Sequence, residues 1–390
     1  MSLLTPVEYA NSVAGEALKI PDNALMASKK SPHPAPAGIP LSRPLIAVDW
    51  GTTSLRAALI QNEQVQEERS SDQGIMSVAP GDFPNVLSGI CNQWLDIEDV
   101  LILISGMAGS AQGWQLAPYC PCPVSIHYLA NHLHWINPHK IAIVPGLSIE
   151  HEYAPDVIRG EEVQVLGALS MLGKESARLV LPGTHSKWVD VVDGIFEDFS
   201  TFMTGEFFSI LKEHSILSKT LPSSNDSVEF NMEGFDQGLS LSLQPKGKSN
   251  GKNNGMNYDN NNANANANAD CKGLVKTTSS EGSASEGTRT KRSVYKPNLL
   301  HDIFSIRTLA LFERHPPEYL LNVLSGIVIG YELQTQQFKK KEEIIIVGTP
   351  ALQMCYSHAL SRLGVRPIAL GSEATWRGFQ VIAHAIDPSN

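Results

Sequence analysis

Asp49 ends an apolar run, Leu45 to Val48, and is followed by Gly51, Thr52, Thr53 and Ser54 before a second apolar run from Leu55 to Ile60. Small residues leave backbone N–H groups and hydroxyls open to an anion, and a carboxylate beside them can hold Mg²⁺ through water. That is the chemistry of a metal–phosphate group. The pattern is neither GxxxxGK[ST] nor GxGxxG, because a strand rather than a helix follows the turn. An ordinary hairpin with a polar turn also accounts for these residues.

Three further stretches carry residues of the same kind. Arg159-Gly160-Glu161-Glu162 opens a segment in which Val165, Leu166, Leu169 and Leu172 keep helical spacing up to Gly173. Paired acids in a first turn suit the helix dipole, so capping alone explains them; alternatively one projects into a cleft as a general base beside Arg159. Pro182-Gly183-Thr184-His185-Ser186-Lys187 lies between the strand-forming runs Arg178 to Leu181 and Trp188 to Val192, and Asp193-Gly194 then turns the chain into Ile195 to Phe202. This second Gly-Thr turn follows the first by about 130 residues, so two domains would grip one polyphosphate between them. The last strand run, Glu343 to Val347, enters Gly348-Thr349-Pro350 and a helix, the place where α/β sheets put ligands. Val100 to Ile104 likewise runs into Ser105 and a glycine-rich turn, with Trp114 and Gln115 just beyond as pocket-lining residues, or with Trp114 packed in a core.

The elements that must hold these residues alternate strands and helices, the pattern of an α/β fold. At 390 residues and 42% hydrophobic content, the chain has enough apolar surface for two cored domains. A net charge of −10 argues against nucleic acid or an anionic membrane as partner, and no apolar run is long enough to span a bilayer. Five scattered cysteines fit a reducing compartment, and Cys120 and Cys122 lack the second pair a zinc site needs. The reading is a cytoplasmic protein. Residues 1–43, rich in proline and small residues, read as a loose extension, and Glu8, Glu16 and Asp22 count against a targeting role. Residues 244–296, with their Asn/Ala alternation and almost no large apolar side chain, read as a disordered insertion. The remainder divides into an N-terminal domain, 44–175, and a C-terminal domain, 176–390.

In order, these pieces resemble the sugar kinases of the actin/hexokinase/Hsp70 superfamily. The strings DWGTTSLRA, SGMAGSAQGW, IRGEEVQVLGA, LPGTHSKWV, FMTGE and IVGTPAL are similar to those of the 2-dehydro-3-deoxygalactonokinases, from about Leu45 to Ala385. The resemblance implies two ribonuclease-H-like domains with a nucleotide cleft between them. It also implies transfer of the ATP γ-phosphoryl group to the 6-hydroxyl of 2-dehydro-3-deoxy-D-galactonate in galactonate catabolism. Carried over by motif, Asp49 organises Mg²⁺, Gly51 to Ser54 and Gly183, Thr184 and His185 form the two phosphate turns, and Gly348 to Pro350 lie against the nucleotide. Glu373 and Arg377 are expected close by. Related kinases place Gly-Asp where this chain has Gly160-Glu161, which leaves Glu161 and Glu162 both open as the base. Arg159 is expected to take the substrate carboxylate, ahead of Arg56, with Ser105, Trp114 and Gln115 near the sugar. Two alternatives stand beside this reading: a kinase of another sugar or aldonic acid, and a nucleotide-binding protein without transfer activity.

Overall fold

The computed structural model describes residues 43–152, 154–223, 228–243 and 298–386; the extension, apart from Arg43, and the insertion lie outside the described residues. The chain opens as an antiparallel meander, β1 (Leu45–Trp50), β2 (Leu55–Gln61) and β3 (Gln64–Ser71). The β1–β2 pairing is the one a four-residue turn over 51–54 imposes, with Trp50 opposite Leu55 and Asp49 opposite Arg56. Helix α1 (Phe83–Cys91) leads to β4 (Leu101–Gly106), whose six residues are all buried. Then come β5 (Cys120–Pro121), β6 (Val124–Ser125), α2 (Ile126–Asn131), β7 (His134–Asn137), β8 (Ile141–Ile143), β9 (Leu147–Glu150) and β10 (Pro155–Ile158). Helix α3 (Glu161–Leu172) ends on Gly173 at φ +60°, a left-handed cap that glycine adopts without steric cost.

A second meander follows: β11 (Ala177–Leu181), β12 (Ser186–Val192) and β13 (Ile195–Phe202). Asp193 and Gly194 both take positive φ, 50° and 74°, the signature of the tight hairpin turn expected for Asp-Gly. After it come α4 (Thr204–His214), α5 (Met232–Ser242), α6 (Leu299–Leu311), α7 (Pro317–Thr335), β14 (Glu343–Val347), α8 (Pro350–Arg362), β15 (Arg366–Leu370) and α9 (Glu373–Ala385).

Two six-stranded sheets repeat one arrangement. The first has the order β3-β2-β1-β4-β8-β7, the second β15-β14-β11-β12-β13-β6. In each, three consecutive strands are extended by two later ones beside the first strand of the meander, as the ribonuclease-H-like expectation requires. In the first sheet β1, β4 and β8 are parallel, so their carboxyl ends emerge together. A small third sheet joins β10, β9 and β5.

The chain forms two compact units. Of the described residues, those up to Arg178, Val189–Phe199 and those from Ser372 onward form unit 1, and the rest, within Leu179–Trp188 and Ser200–Gly371, form unit 2. The core of unit 1 gathers Ile46, Val48, Trp50, Leu55, Phe83, Trp94, Ile102 and Ile104. Unit 2 has one cluster around Val180, Trp188, Phe235, Ile344, Ile346 and Tyr356, and another around Leu217, Ile306, Leu320, Val323 and Ile327. The alternation of buried strands and helices seen in the sequence is therefore real, and the fold class is mixed α/β. Among the described residues no helix is long and apolar enough to cross a membrane.

Candidate active site

In unit 1 the site begins where β1 and β4 end. Asp49 stands level with Arg56 on one side and with Ser105 on the other, so the three side chains project from the same face of the sheet. Asp49 is half-buried and accepts a hydrogen bond from Arg56 Nη2 at 2.5 Å. The Arg56 guanidinium also lies 5.6 Å from the Trp376 ring centroid. Gly106, at φ +89°, lets the two strand ends close up: a Cβ there would sit 2.7 Å from the Trp50 carbonyl oxygen.

The turn that follows Asp49 is tied shut and propped. Gly51 N–H donates to Ser54 O at 2.8 Å, while the Gly51 and Thr52 carbonyls accept from Ile75 and Met76 N–H. Gly74 fits beneath it, since a Cβ at that position would be 2.4 Å from the backbone of Thr52 and Thr53. Thr52, Thr53 and Ser54 remain exposed.

The head of α3 meets these strand ends. Gly160, at φ +109°, brings the chain so near that a Cβ on it would lie 3.4 Å from Gly106 Cα. Both acids fold back over the helix N-terminus: Glu161 Oε2 accepts from Arg159 N–H at 2.9 Å, and Glu162 Oε2 from Gly160 N–H at 2.7 Å. Their surroundings differ. Glu162 is fully buried and accepts from Ser105 Oγ at 3.3 Å through its other oxygen. Burial, helped by the charge of Glu161, pushes its carboxyl up to about 8, against its backbone hydrogen bonds and the pull of Arg159. Glu161 is partly open to solvent.

Arg159 is buried, with its guanidinium 4.2 Å from the Tyr119 ring centroid and Nη2 donating to the Ala117 carbonyl at 2.8 Å. Its Nε and Nη1 have no hydrogen-bond partner. Gly109 makes room for it, as a Cβ there would meet Nη1 at 2.6 Å. Buried donors are nearly always paired, so these idle N–H groups mark Arg159 as a cation short of acceptors.

Trp114 stacks on Phe83 at 6.3 Å and meets Trp50 edge-on at 6.4 Å, so it serves the core of unit 1. Gln115 is exposed, and its Oε1 lies 2.9 Å from His134 Nε2. Arg377 donates to Ser170 Oγ of α3 and to Gln380 Oε1.

Unit 2 carries the other Gly-Thr turn between β11 and β12. The start of α4 braces it: Glu206 N–H donates to Thr184 O at 2.9 Å, and a Cβ on Gly205 would lie 2.4 Å from Gly183 O. His185 Nε2 sits 2.5 Å from Glu206 Oε2, and the buried Lys187 donates to His185 O. Gly348 adjoins the same turn, as a Cβ on it would be 3.5 Å from Pro182. Thus unit 2 brings Gly183, Thr184, His185 and the Gly348-Thr349-Pro350 turn together. Unit 1 does the same for Asp49, Gly51 to Ser54, Ser105, Arg159, Glu161 and Glu162.

Several contributors escape a reading of the sequence alone. Gly74 gives no signal, because it acts through a contact distant in the chain; Glu206 closes the FMTGE string, but its hold on the second Gly-Thr turn shows only in the fold. The Asp49–Arg56 pair was legible in principle, since a turn over 51–54 puts the two residues opposite each other.

The sequence profile described as 2-keto-3-deoxy-galactonokinase matches residues 49–252 and 272–382. The 2-dehydro-3-deoxygalactonokinase of Escherichia coli (strain K12) is 27% identical over 344 residues, covering 87% of this chain and 98% of that protein. A Rhizobium meliloti (strain 1021) protein assigned to the same activity is 42% identical over 175 residues, 44% of this chain and 57% of its own length. A Sinorhizobium meliloti crystal structure, also assigned as a 2-dehydro-3-deoxygalactonokinase, superimposes with a TM-score of 0.69 at 30% identity, over 88% of this chain and 99% of that one. With the profile spanning most of the chain and the fold shared with that crystal structure over 88% of it, this protein belongs to the 2-keto-3-deoxy-galactonokinase family of kinases.

Proposed function

We propose that the chain transfers the γ-phosphoryl group of ATP to the terminal 6-hydroxyl of 2-dehydro-3-deoxy-D-galactonate, a step of galactonate catabolism. The observation that carries this reading is the meeting, at the ends of β1 and β4, of Asp49, Ser105 and the paired acids at the head of α3, beside the exposed 51–54 turn. Arg159 lies next to these acids and is assigned the substrate carboxylate, which a sugar acid has and a neutral hexose lacks. Ser105, and Gln115 at the rim, are assigned to the sugar hydroxyls.

Glu161 is the better placed of the two acids to act as base. Glu162 has no solvent-accessible atom, so no substrate hydroxyl reaches it, whereas Glu161 is partly open. In this reading Glu161 accepts the proton of the attacking hydroxyl as the new P–O bond forms and ADP departs. Glu162 holds Ser105 and the Gly160 N–H in place behind it.

The turn over 51–54 is assigned to the phosphate oxygens, with the exposed Thr52, Thr53 and Ser54 offering hydroxyls and Gly51, whose N–H closes the turn on Ser54 O, keeping it tight. Gly183, Thr184 and His185 are assigned the same task, and Gly348 to Pro350 the nucleotide. A single carboxylate at a strand end suits Mg²⁺, which keeps most of its waters and takes the rest of its shell from phosphates. Asp49 would hold that ion through water, and its chemistry is to neutralise charge on the transferring group.

An ATP-consumption assay against 2-dehydro-3-deoxy-D-galactonate, its stereoisomers and neutral hexoses tests the proposal. Turnover confined to 2-oxo-3-deoxy acids is expected. Equal or faster turnover of a neutral hexose would overturn it.

A further inference from the structure

Glu332 lies in the middle of α7, 4% exposed, and both its oxygens are fully engaged. Oε1 accepts from Ser186 Oγ at 2.9 Å and from Trp188 Nε1 at 2.8 Å. Oε2 accepts from the Thr204 hydroxyl and from Tyr356 OH, the latter at 2.7 Å. One carboxyl group therefore joins β12, the first residue of α4, and α8.

Two of these partners flank the Gly183–His185 turn. Ser186 is the residue at which the chain leaves the turn, and Thr204 immediately precedes Gly205 and Glu206, the two residues that touch it from outside. We propose that Glu332 is a positioning residue for this turn, fixing its exit through Ser186 and Trp188 and its brace through Thr204. The inference rests on the phosphate role given to Gly183, Thr184 and His185 above. A polyphosphate is recognised by donors aimed at fixed points, and small displacements of such donors weaken the grip.

The partners differ in what they tolerate. The indole N–H of Trp188 can only donate, so in Glu332→Gln the amide oxygen must stay on the side of Ser186 and Trp188. The amide NH₂ then faces Thr204 and Tyr356, whose hydroxyls give up donating to a carboxylate and accept from a neutral amide instead, a weaker bond. Only Thr204 is next to the brace.

The test measures KM for ATP and for the sugar acid, together with backbone hydrogen exchange, in Glu332→Gln, Thr204→Val, Thr204→Ser and Tyr356→Phe. Thr204→Val is expected to raise KM for ATP about tenfold, the size of one lost hydrogen bond, and Glu332→Gln to raise it in the same direction by less through the lost charge, with KM for the acid nearly unchanged in both. Amides at 183–187 and 203–206 should exchange faster. Thr204→Ser keeps the hydroxyl and should restore the wild-type value, and Tyr356→Phe, whose hydroxyl also meets Ser186 Oγ but only at 3.4 Å, should raise KM for ATP less than Thr204→Val. Unchanged KM and exchange in folded Glu332→Gln would overturn the inference, as would equal effects of Tyr356→Phe and Thr204→Val, which indicate general loss of packing. If wild type consumed no ATP with any acid, the proposed function would fall, and the exchange data alone would then decide the positioning role.

Discussion

Glu162→Gln removes a proton-binding group while keeping its shape, and the burial of that group fixes what should follow. In the folded chain the carboxyl holds its proton up to about 8, whereas the unfolded chain releases it near 4.5. Between those values the folded state binds more protons, so Glu162 costs stability as pH rises through the window and its contribution levels off above it. From pH 5 to pH 8.5 the change is about 4 kcal/mol at 1.36 kcal/mol per pH unit. At roughly 2–4 °C per kcal/mol for a unit of this size, that is a shift in Tm of about 10 °C. Glutamine has no proton to lose and still accepts from the Gly160 N–H. The assay is thermal unfolding of wild type and variant at both pH values, taking the difference between the two proteins so that other titrating groups cancel. Wild type should lose about 10 °C relative to the variant on going to the higher pH. A difference constant to within about a degree would refute the argument, because it would mean that Glu162 ionises alike in folded and unfolded chains.

Glu161→Gln should lower turnover about 10²- to 10⁴-fold while ATP still binds; unchanged turnover in a rate assay would remove Glu161 as the base. Gly183→Ala meets nothing within 4 Å, so its Tm should hold while KM for ATP rises, because the added methyl occupies space needed by phosphate. Gly167→Ala behaves in the opposite way. A Cβ there would fall 1.7 Å from the Ala374 carbonyl oxygen, so α3 and α9 must separate, at a cost of about 1–3 kcal/mol read as a fall in Tm.

The elements around the site were largely legible. Ile195–Phe202 and Glu343–Val347 appear with the bounds their apolar runs and turn residues predict, and Gly173 takes the positive φ expected where a helix ends. The strand Gln64–Ser71 was not legible: it is an edge strand, almost wholly polar and exposed, and carries no period-two apolar signal. Helix α5 escaped as well, because its apolar residues are few and pack on α7 through Gly238 and Gly326. The single cut placed at 175/176 could not foresee that the last helix packs in unit 1, since an element's neighbours depend on which apolar faces it meets.

The sequence alone determined the chemistry available to this protein: an acid before a Gly-Thr turn, a second such turn, an Arg-Gly-Glu-Glu helix head, and through their order the kinase family. Residue type and local spacing suffice for that, because hairpins and helix caps form within a few residues of one another. Only the tertiary structure decided the environments. It buried Glu162 and left Glu161 open, idled two donors of Arg159, paired Asp49 with Arg56 and set Glu332 among four donors. Burial and hydrogen-bond partners are properties of surfaces that meet only after folding, and they set the protonation and aim of a side chain in ways its type cannot.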